Sequence, residues 1–356
     1  MTSTGPDDAA AVVADLTEGE LIARFVPLLP RGRATLVPTG DDAAVIAAPD
    51  GRFVVSTDVL VEGHHFRSGW GTARDVGARA AAQNLADVVA MGAVPTSMVV
   101  GLVMPPTTPV PWVLDLARGL ADVCSPLGVG VDGGDLSAGE QLVVAVTVHG
   151  DLEGRAPVLR SGARVGDVVA HAGAVGRSAA GHAVLVAGEQ GTRGPGAAAR
   201  AGEAAATGPD DDAAAAAVVG SFLRPTPPYD AGPAAAAAGA TAMMDVSDGL
   251  LRDAGRMARA SGVDLVLDPL TDCLPDTLDA LGPLARRLGV DPAVWVLTGG
   301  EDHGLLATFP PDRPLPRPFR RIGAVVAAGA GGPRVTTSPQ DAEHGTALGW
   351  DHFRPA

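Results

Sequence analysis

The chain contains no lysine: all 26 of its basic residues are arginine. That absence removes several chemistries at once, because a P-loop nucleotide site needs its Gly-Lys-Ser/Thr, a protein kinase needs a strand lysine, and a Schiff-base enzyme needs an amine. If this chain handles nucleotide phosphates, metal ions and arginines must hold them. Cysteine is nearly as scarce. Cys124 and Cys273 alone cannot make a disulfide framework or a multi-cysteine zinc site. No apolar run approaches the roughly 18 residues that a membrane helix needs, and the positive mean hydropathy comes largely from alanine. The N-terminus lacks the basic-then-apolar order of a signal peptide, so a cytoplasmic location is expected. Basic surface is missing too: the net charge is −15, which argues against nucleic acid or an anionic membrane as partner.

What is present is enough for two ordinary domains: 356 residues, 46% of them hydrophobic. Residues 1–16, small and acidic, read as a disordered tail. Thr17-x-x-Glu20 forms a capping box ahead of apolar Leu21, Ile22 and Phe25, so a first helix starts there. Apolar runs follow at 43–48 and 53–57, then a helical stretch over 74–91 that Gly92 and Pro95 end. A strand at 97–103, a helix at 111–124 and strands near 128–132 and 142–149 complete an N-terminal domain over 17–152. The pattern restarts in a second domain over 153–356. It opens with Arg160-Ser-Gly at a turn, strand 167–171 and a helix near Arg177, and continues with strand 241–245, a helix from 249, and strands 293–298 and 305–309. Residues 189–217, rich in Ala, Gly and Asp, read as a low-complexity surface insertion, partly helical. The order is that of an α+β protein.

Six aspartates stand at the ends of these elements: Asp42, Asp58, Asp87, Asp135, Asp245 and Asp248. Carboxylates gathered in one cleft repel and stay ionised only with cations between them. Mg²⁺, which takes hard oxygen ligands and substrate phosphates, is the natural partner. An aspartate beside glycine is, taken alone, more often a turn or N-cap than a metal ligand. Asp87 resists that reading, because it lies on a helix among Leu85, Val88, Val89 and Met91, where an unpaired carboxylate is costly. Asp245-Val-Ser-Asp-Gly is no EF-hand: its glycine comes one position early and Arg256 stands where the closing glutamate belongs. His64 and His65 follow Glu62-Gly63 in a segment that reads as extended, which would put the two rings on opposite faces. No further ligands at zinc spacing accompany them. Gly-rich turns at 133–134, 173–176 and 299–300 would let backbone N–H groups approach phosphate, and Arg160 could fork onto one.

Eight segments in this order resemble the thiamine-monophosphate kinase family. They are Gly40-Asp-Asp-Ala-Ala-Val, Ser56-Thr-Asp with Glu62-Gly-His-His-Phe, Asn84-Leu-Ala-Asp-Val-Val-Ala-Met-Gly-Ala, Gly133-Gly-Asp, Arg160-Ser-Gly-Ala, Asp245-Val-Ser-Asp-Gly-Leu, Gly299-Gly-Glu-Asp and Gly349-Trp-Asp-His-Phe. Each motif is weak alone; together they are highly specific. The resemblance implies the two-domain fold shared with aminoimidazole ribonucleotide synthetase and selenophosphate synthetase. In it an N-terminal α+β domain contributes to the β-barrel of a homodimer, a C-terminal α/β domain follows, and ATP lies between the domains. It further implies transfer of phosphate from ATP to thiamine monophosphate, the last step to thiamine diphosphate, by direct in-line attack without a phosphoenzyme. Asp42, Ser56, Thr57, Asp58, Asp87, Asp135, Asp245 and Asp248 are then the implied ligands of several Mg²⁺ ions, with K⁺ as an optional further cation. Asp58, Asp135 and Asp248 are the implied catalytic carboxylates. Gly134, Arg160 and Ser247 are the implied ATP contacts, and His65, Glu301 and Trp350 the implied contacts to thiamine monophosphate, the tryptophan suited to stack on a cationic ring.

The chain also departs from the family. Where the family commonly reads Gly-Gly-Glu-Asp-Tyr-Glu, this chain has Gly299-Gly-Glu-Asp-His303-Gly304, and an aromatic expected before the Gly-Gly-Asp strand is replaced in the region of Pro126-Leu127, which leaves aliphatic groups to line the adenine pocket. Selenophosphate synthetase would bring a reactive cysteine and a lysine near the N-terminus, and aminoimidazole ribonucleotide synthetase its lysine-bearing signatures; neither set is here. A binding-only protein on this fold would show damaged ligands, whereas all six aspartates are intact.

Overall fold

The computed structural model describes residues 10–39, 43–193, 209–338 and 341. It divides into two compact units, residues 1–89 with 93–156, and residues 90–92 with 157–356. Among the described residues no helix is long and apolar enough to cross a membrane.

The first unit is built on a four-stranded sheet in the order β3 (Val54–Val61), β6 (Val143–Asp151), β4 (Val94–Met104), β5 (Gly130–Ala138), with β4 and β5 parallel and the other pairs antiparallel. Alternation along the strands separates its faces. Met98, Val100, Leu102, Val144, Val146, Val148 and Leu60 are buried on one side, while Val55 and Val59 on the other are 55% and 44% exposed. Helices Ala73–Ala90 and Val110–Leu127 belong to this unit. They approach closely because glycine stands at both contacts. A Cβ on Gly77 would lie 2.1 Å from the Leu116 carbonyl oxygen, and one on Gly119 would lie 2.1 Å from that of Arg74. The alanines of the first helix, Ala78, Ala80, Ala81, Ala82 and Ala86, are almost wholly buried, so its small side chains permit tight packing rather than leaving a weak core. A two-stranded ribbon, β1 (Thr35–Val37) with β2 (Val45–Ile46), completes the unit.

The Thr17 capping box forms as the sequence requires: the Thr17 hydroxyl accepts from the Glu20 N–H at 3.3 Å and the Glu20 carboxylate accepts from the Thr17 N–H at 2.8 Å. Residues 10–16 are not a free tail, however. Val13–Asp15 make a 3₁₀ turn whose Val13 and Ala14 N–H groups donate to Thr108 and Pro106 at 2.8 Å.

The second unit holds a six-stranded sheet, β12 (Val335–Thr336), β9 (Val263–Leu267), β11 (Arg320–Ala327), β7 (Val168–Ala172), β10 (Gly304–Phe309), β8 (Ala242–Val246), antiparallel except for β12 with β9. Leu265, Met257, Val296, Leu297 and Leu306 are among its fully buried core residues. Strands β9 and β11 and helix Pro275–Leu288 escaped the sequence reading. One assignment is reversed: 293–298 is a helix, Pro292–Thr298, with Asp291 as N-cap accepting from the Ala293 N–H at 2.8 Å and Pro292 at the first position. Of the 189–217 insertion, the ends belong to helices Arg177–Arg193 and Pro209–Leu223, and the rest lies outside the described residues.

Candidate functional site

Strand β3 places Ser56 and Asp58 on the sheet's covered face, where they meet helix Ala73–Ala90. The Ser56 hydroxyl donates to Asp87 Oδ2 at 2.7 Å, the Asp58 N–H donates to Asn84 Oδ1 at 3.0 Å, and the Gln83 amide reaches Asp58 Oδ2 at 3.5 Å. Asn84 is in turn locked by donating to the Ala80 carbonyl at 2.9 Å. The result is two half-buried carboxylates and a hydroxyl held by a rigid strand and a rigid helix, a set of hard oxygen donors. Asp58 and Asp87 sit inside their elements, not at the ends, because β3 runs on to Val61 and the helix to Ala90.

Thr57 faces the other way. Its hydroxyl donates to the Val146 carbonyl at 2.8 Å and accepts from Thr147 Oγ1 at 3.1 Å. Asp135 pairs in register with Gly101, and Gly101 with Ala145, which places it in the Val59 row of the uncovered face, whereas Asp58 pairs with Val146. Asp135 is exposed and accepts from Ser137 Oγ at 2.7 Å. Among the described residues no three His, Cys, Asp or Glu side chains stand together as a metal cage; Asp42 and Trp350 lie outside the described residues.

His64 and His65 occupy a turn, not a strand. Both backbone N–H groups return to the Val61 carbonyl, at 3.1 and 2.9 Å. His65 Nδ1 accepts from the Val61 N–H at 3.1 Å, so that nitrogen is unprotonated and the ring's orientation is fixed.

A cavity of about 520 Å³ opens beside Gly133 and Gly134. Ala43, Ala44, Ile46, Ala47, Phe53 and Val99 give it apolar walls, and Ser97, Asp132 and His149 line it with polar groups. The Asp132 carboxylate is buried. Its Oδ1 accepts from Thr35 Oγ1 at 2.7 Å and its Oδ2 has no partner. Burial raises the Asp132 carboxyl above its ordinary range and lowers the His149 imidazole, whose Nδ1 lies 3.2 Å from Ser97 Oγ. Asp132 was not legible in advance, since Val131-Asp-Gly-Gly reads as a turn.

The second unit carries its own acidic loop after β8. The Asp248 N–H donates to Asp253 Oδ2 at 2.9 Å, and Arg256 lies 2.6 Å from both Asp248 and Asp253. Desolvation lifts the buried Asp253 carboxyl to about 6. Asp248 therefore already has a cation beside it, and Asp253, three residues before Arg256, is the group that aims that arginine. The Gly299–His303 segment packs on this loop. A Cβ on Gly300 would stand 2.2 Å from the Ser247 carbonyl oxygen, which accepts from the Glu301 N–H at 2.8 Å. Asp302 caps helix Arg177–Arg193 through the Ser178 N–H at 2.8 Å, while Ser178 Oγ donates to the Glu301 carbonyl at 2.8 Å. Glu301 and His303 are both left-handed, with φ of 69° and 54°, a conformation uncommon outside glycine and typical of functional loops. His303 Nδ1 faces Asp245 Oδ2 at 3.4 Å and Nε2 faces Glu301 Oε2 at 3.6 Å. Burial, the largest influence on this imidazole, lowers its pKa, but the two carboxylates together override it and lift it to about 10. Gly304 has its own reason: a Cβ there would lie 2.5 Å from Nε2 of the buried His171. Arg160 is exposed at a turn, its carbonyl accepting from Ser261 Oγ at 3.0 Å.

The chain matches the family models described as AIR synthase related protein, N-terminal domain, over residues 40–152, and AIR synthase related protein, C-terminal domain, over residues 179–292. It is 45% identical to the thiamine-monophosphate kinase of Mycobacterium tuberculosis (strain ATCC 25618 / H37Rv), across 95% of this chain and 92% of that one. It is 40% identical to the thiamine-monophosphate kinase of Corynebacterium glutamicum, across 80% of each. The solved structure of AaThiL complexed with AMPPCP and TMP superposes with a TM-score of 0.71 at 29% identity, covering 94% of this chain and 95% of that one.

Proposed function

Since this chain belongs to the thiamine-monophosphate kinase family, we propose that its phosphorylation of thiamine monophosphate by ATP runs as a direct in-line transfer assisted by several Mg²⁺ ions. The observation that carries the reading is the set of oxygen donors at Ser56, Asp58 and Asp87, braced by Gln83 and Asn84, in a chain without lysine. Those donors match the ligand preference of Mg²⁺ and would hold it; Asp42, Asp135, Asp245 and Asp248 are assigned as ligands of further Mg²⁺ ions on the resemblance alone. When bound, Mg²⁺ neutralises charge on the transferring phosphoryl group. Thr57 enters this set least readily, since its hydroxyl is already spent on Val146.

The chain's own residues then position and screen. The phosphate oxygen of thiamine monophosphate is a nucleophile at neutral pH, so no strong general base is needed and positioning dominates. The cavity beside Gly133 and Gly134, with its apolar walls, is the place we assign to the adenine, with Gly134 toward the phosphates; Arg160 and Ser247 are assigned as ATP contacts on the resemblance alone. We assign His65, Glu301 and Trp350 to thiamine monophosphate. The exposed Val55 and Val59 face of the first sheet supports the homodimer as well.

The test is to incubate purified protein with ATP, Mg²⁺ and thiamine monophosphate over a range of K⁺, and to follow thiamine diphosphate by chromatography beside a thiamine-only control. Diphosphate from the monophosphate alone is the expected result. ATP binding without turnover would sink the kinase reading in favour of a binding-only protein.

A further inference from the structure

Asp253 takes no part in the reaction as proposed, yet its side chain is wholly covered, against 17% exposure for that of Asp248 and 33% for that of Arg256. A buried carboxylate is costly unless its oxygens are engaged, and here both are, each on a different part of one neighbour. Oδ2 accepts from the Asp248 N–H at 2.9 Å; Oδ1 accepts from Arg256 Nη1 at 2.6 Å, and Arg256 Nη2 lies 2.6 Å from Asp248 Oδ2. Local structure makes the ring possible. The chain turns at Gly249, where φ is 116°, and Asp253 and Arg256 stand three residues apart on helix Leu250–Ser261, hence on one face. Asp248 is therefore gripped twice, once by its backbone and once by its side chain. A helix cap alone would need only the first grip. The second engages Oδ2 and leaves Oδ1 as the oxygen for a further cation; the Arg252 Nε, 4.0 Å from Oδ2, also lies near the engaged oxygen.

We propose that Asp253 is a positioning residue which, through Arg256, fixes the Asp248 carboxylate with one oxygen engaged and the other presented to Mg²⁺. The inference rests on the kinase reading, with Asp248 as a ligand in it, and names how that ligand is aimed. Carboxylates that bind metal ions are themselves held by hydrogen-bonding partners, and loss of such a partner weakens metal binding by about 10- to 100-fold. A guanidinium suits the task, because its planar fork spans two acids and keeps its charge. Without the fork, the Asp248 side chain rotates among its own conformers, and metal binding must first order it. The effect falls on the Mg²⁺ requirement and passes through the Asp248 carboxylate.

A double-mutant cycle tests this. Arg256→Met breaks the side-chain grip at a partly exposed position and spares the bond to the Asp248 N–H; Asp253→Asn, which keeps the shape of the buried acid, is the second variant. For each, Mg²⁺ is titrated against calorimetric binding of the non-hydrolysable nucleotide AMPPCP and against turnover, with melting temperature followed alongside. Arg256→Met is expected to raise the Mg²⁺ concentration for half-maximal binding and turnover about tenfold, with the KM for thiamine monophosphate changed less than about twofold. Asp253→Asn should move the Mg²⁺ requirement in the same direction. In an Asp248→Asn background, Arg256→Met should shift it less than about twofold. Equal shifts in both backgrounds, or a lowered melting temperature with the Mg²⁺ requirement unmoved, would overturn the inference while leaving the kinase assignment standing. A wild-type protein without turnover would remove both.

Discussion

Asp58 is held by its backbone N–H, which donates to Asn84 Oδ1, and by the Gln83 amide that reaches its Oδ2, while the Ser56 hydroxyl donates to Asp87, and an asparagine at 58 keeps both the backbone bond and an oxygen that accepts from Gln83. Asp58→Asn should therefore fold normally and lower kcat by about 100-fold or more, the scale expected when one charged group of a preorganised site is lost; the chromatographic assay measures it, and a variant within threefold of wild type would remove Asp58 from the chemistry. His171 gives a prediction about stability instead. It is fully buried, neither ring nitrogen has a partner, and desolvation lowers its pKa from 6.5 to about 3. Below pH 6.5 the unfolded chain binds a proton that the native state refuses, so stability falls as pH drops from 6.5 toward 3. Between pH 7 and pH 5 this one group should cost about 2 kcal/mol. Urea unfolding at the two pH values should show that loss in wild type and its disappearance in His171→Leu; an identical pH dependence in both would show that His171 titrates normally. Sequence reading singled out Asp87 because an acid amid apolar helix positions has a physical cost visible in one dimension, and Asp58 because it stands in a Ser-Thr-Asp motif of the family the chain resembles. It could not find His171 or Asp132, whose meaning arises only from strands that meet across long separations.

At the scale of elements, the glycine pair that joins helices Ala73–Ala90 and Val110–Leu127 sets how closely the first unit can pack. Gly119→Ala puts a methyl 2.1 Å from the Arg74 carbonyl oxygen, and since both partners are helix backbone neither can yield locally. We expect a loss of about 2 kcal/mol or more in urea unfolding, with Gly188→Ala, which meets nothing within 4 Å, as the control that should not destabilise. Equal midpoints for the two would mean that the helices separate at little cost. The same scale shows why some elements were legible and others not. Helix Ala73–Ala90 announced itself by length, and its end by Gly92, where φ is 77°. Val294-Trp-Val-Leu reads as a strand because four apolar residues carry no period; only Asp291-Pro292, an N-cap followed by a first-turn proline, distinguishes it. The His64-His65 turn was concealed in the same way, since its closure depends on the Val61 carbonyl accepting twice.

For the molecule as a whole, 41 acidic residues stand against 26 arginines and no lysine, so every fixed cation available to a triphosphate is a guanidinium. Arginine keeps its charge at any working pH and binds phosphate by a rigid fork, whereas lysine contributes a movable point charge. An excess of acid also means that ATP approaches against the protein's own field unless divalent ions come with it. These two facts make a prediction that does not depend on any single residue. Treatment with an amine-acylating ester, which can reach no amine but the N-terminus, should change turnover less than about twofold, while an arginine-directed dicarbonyl should abolish it, and ATP with Mg²⁺ should slow that loss. Removal of Mg²⁺ by a chelator should stop turnover reversibly, with the circular-dichroism spectrum unchanged, because both units have apolar cores of their own. Activity that survives the dicarbonyl would mean that metal ions alone hold the triphosphate and would release Arg160 from its assigned place, whereas activity that survives the chelator would overturn the metal-assisted mechanism itself.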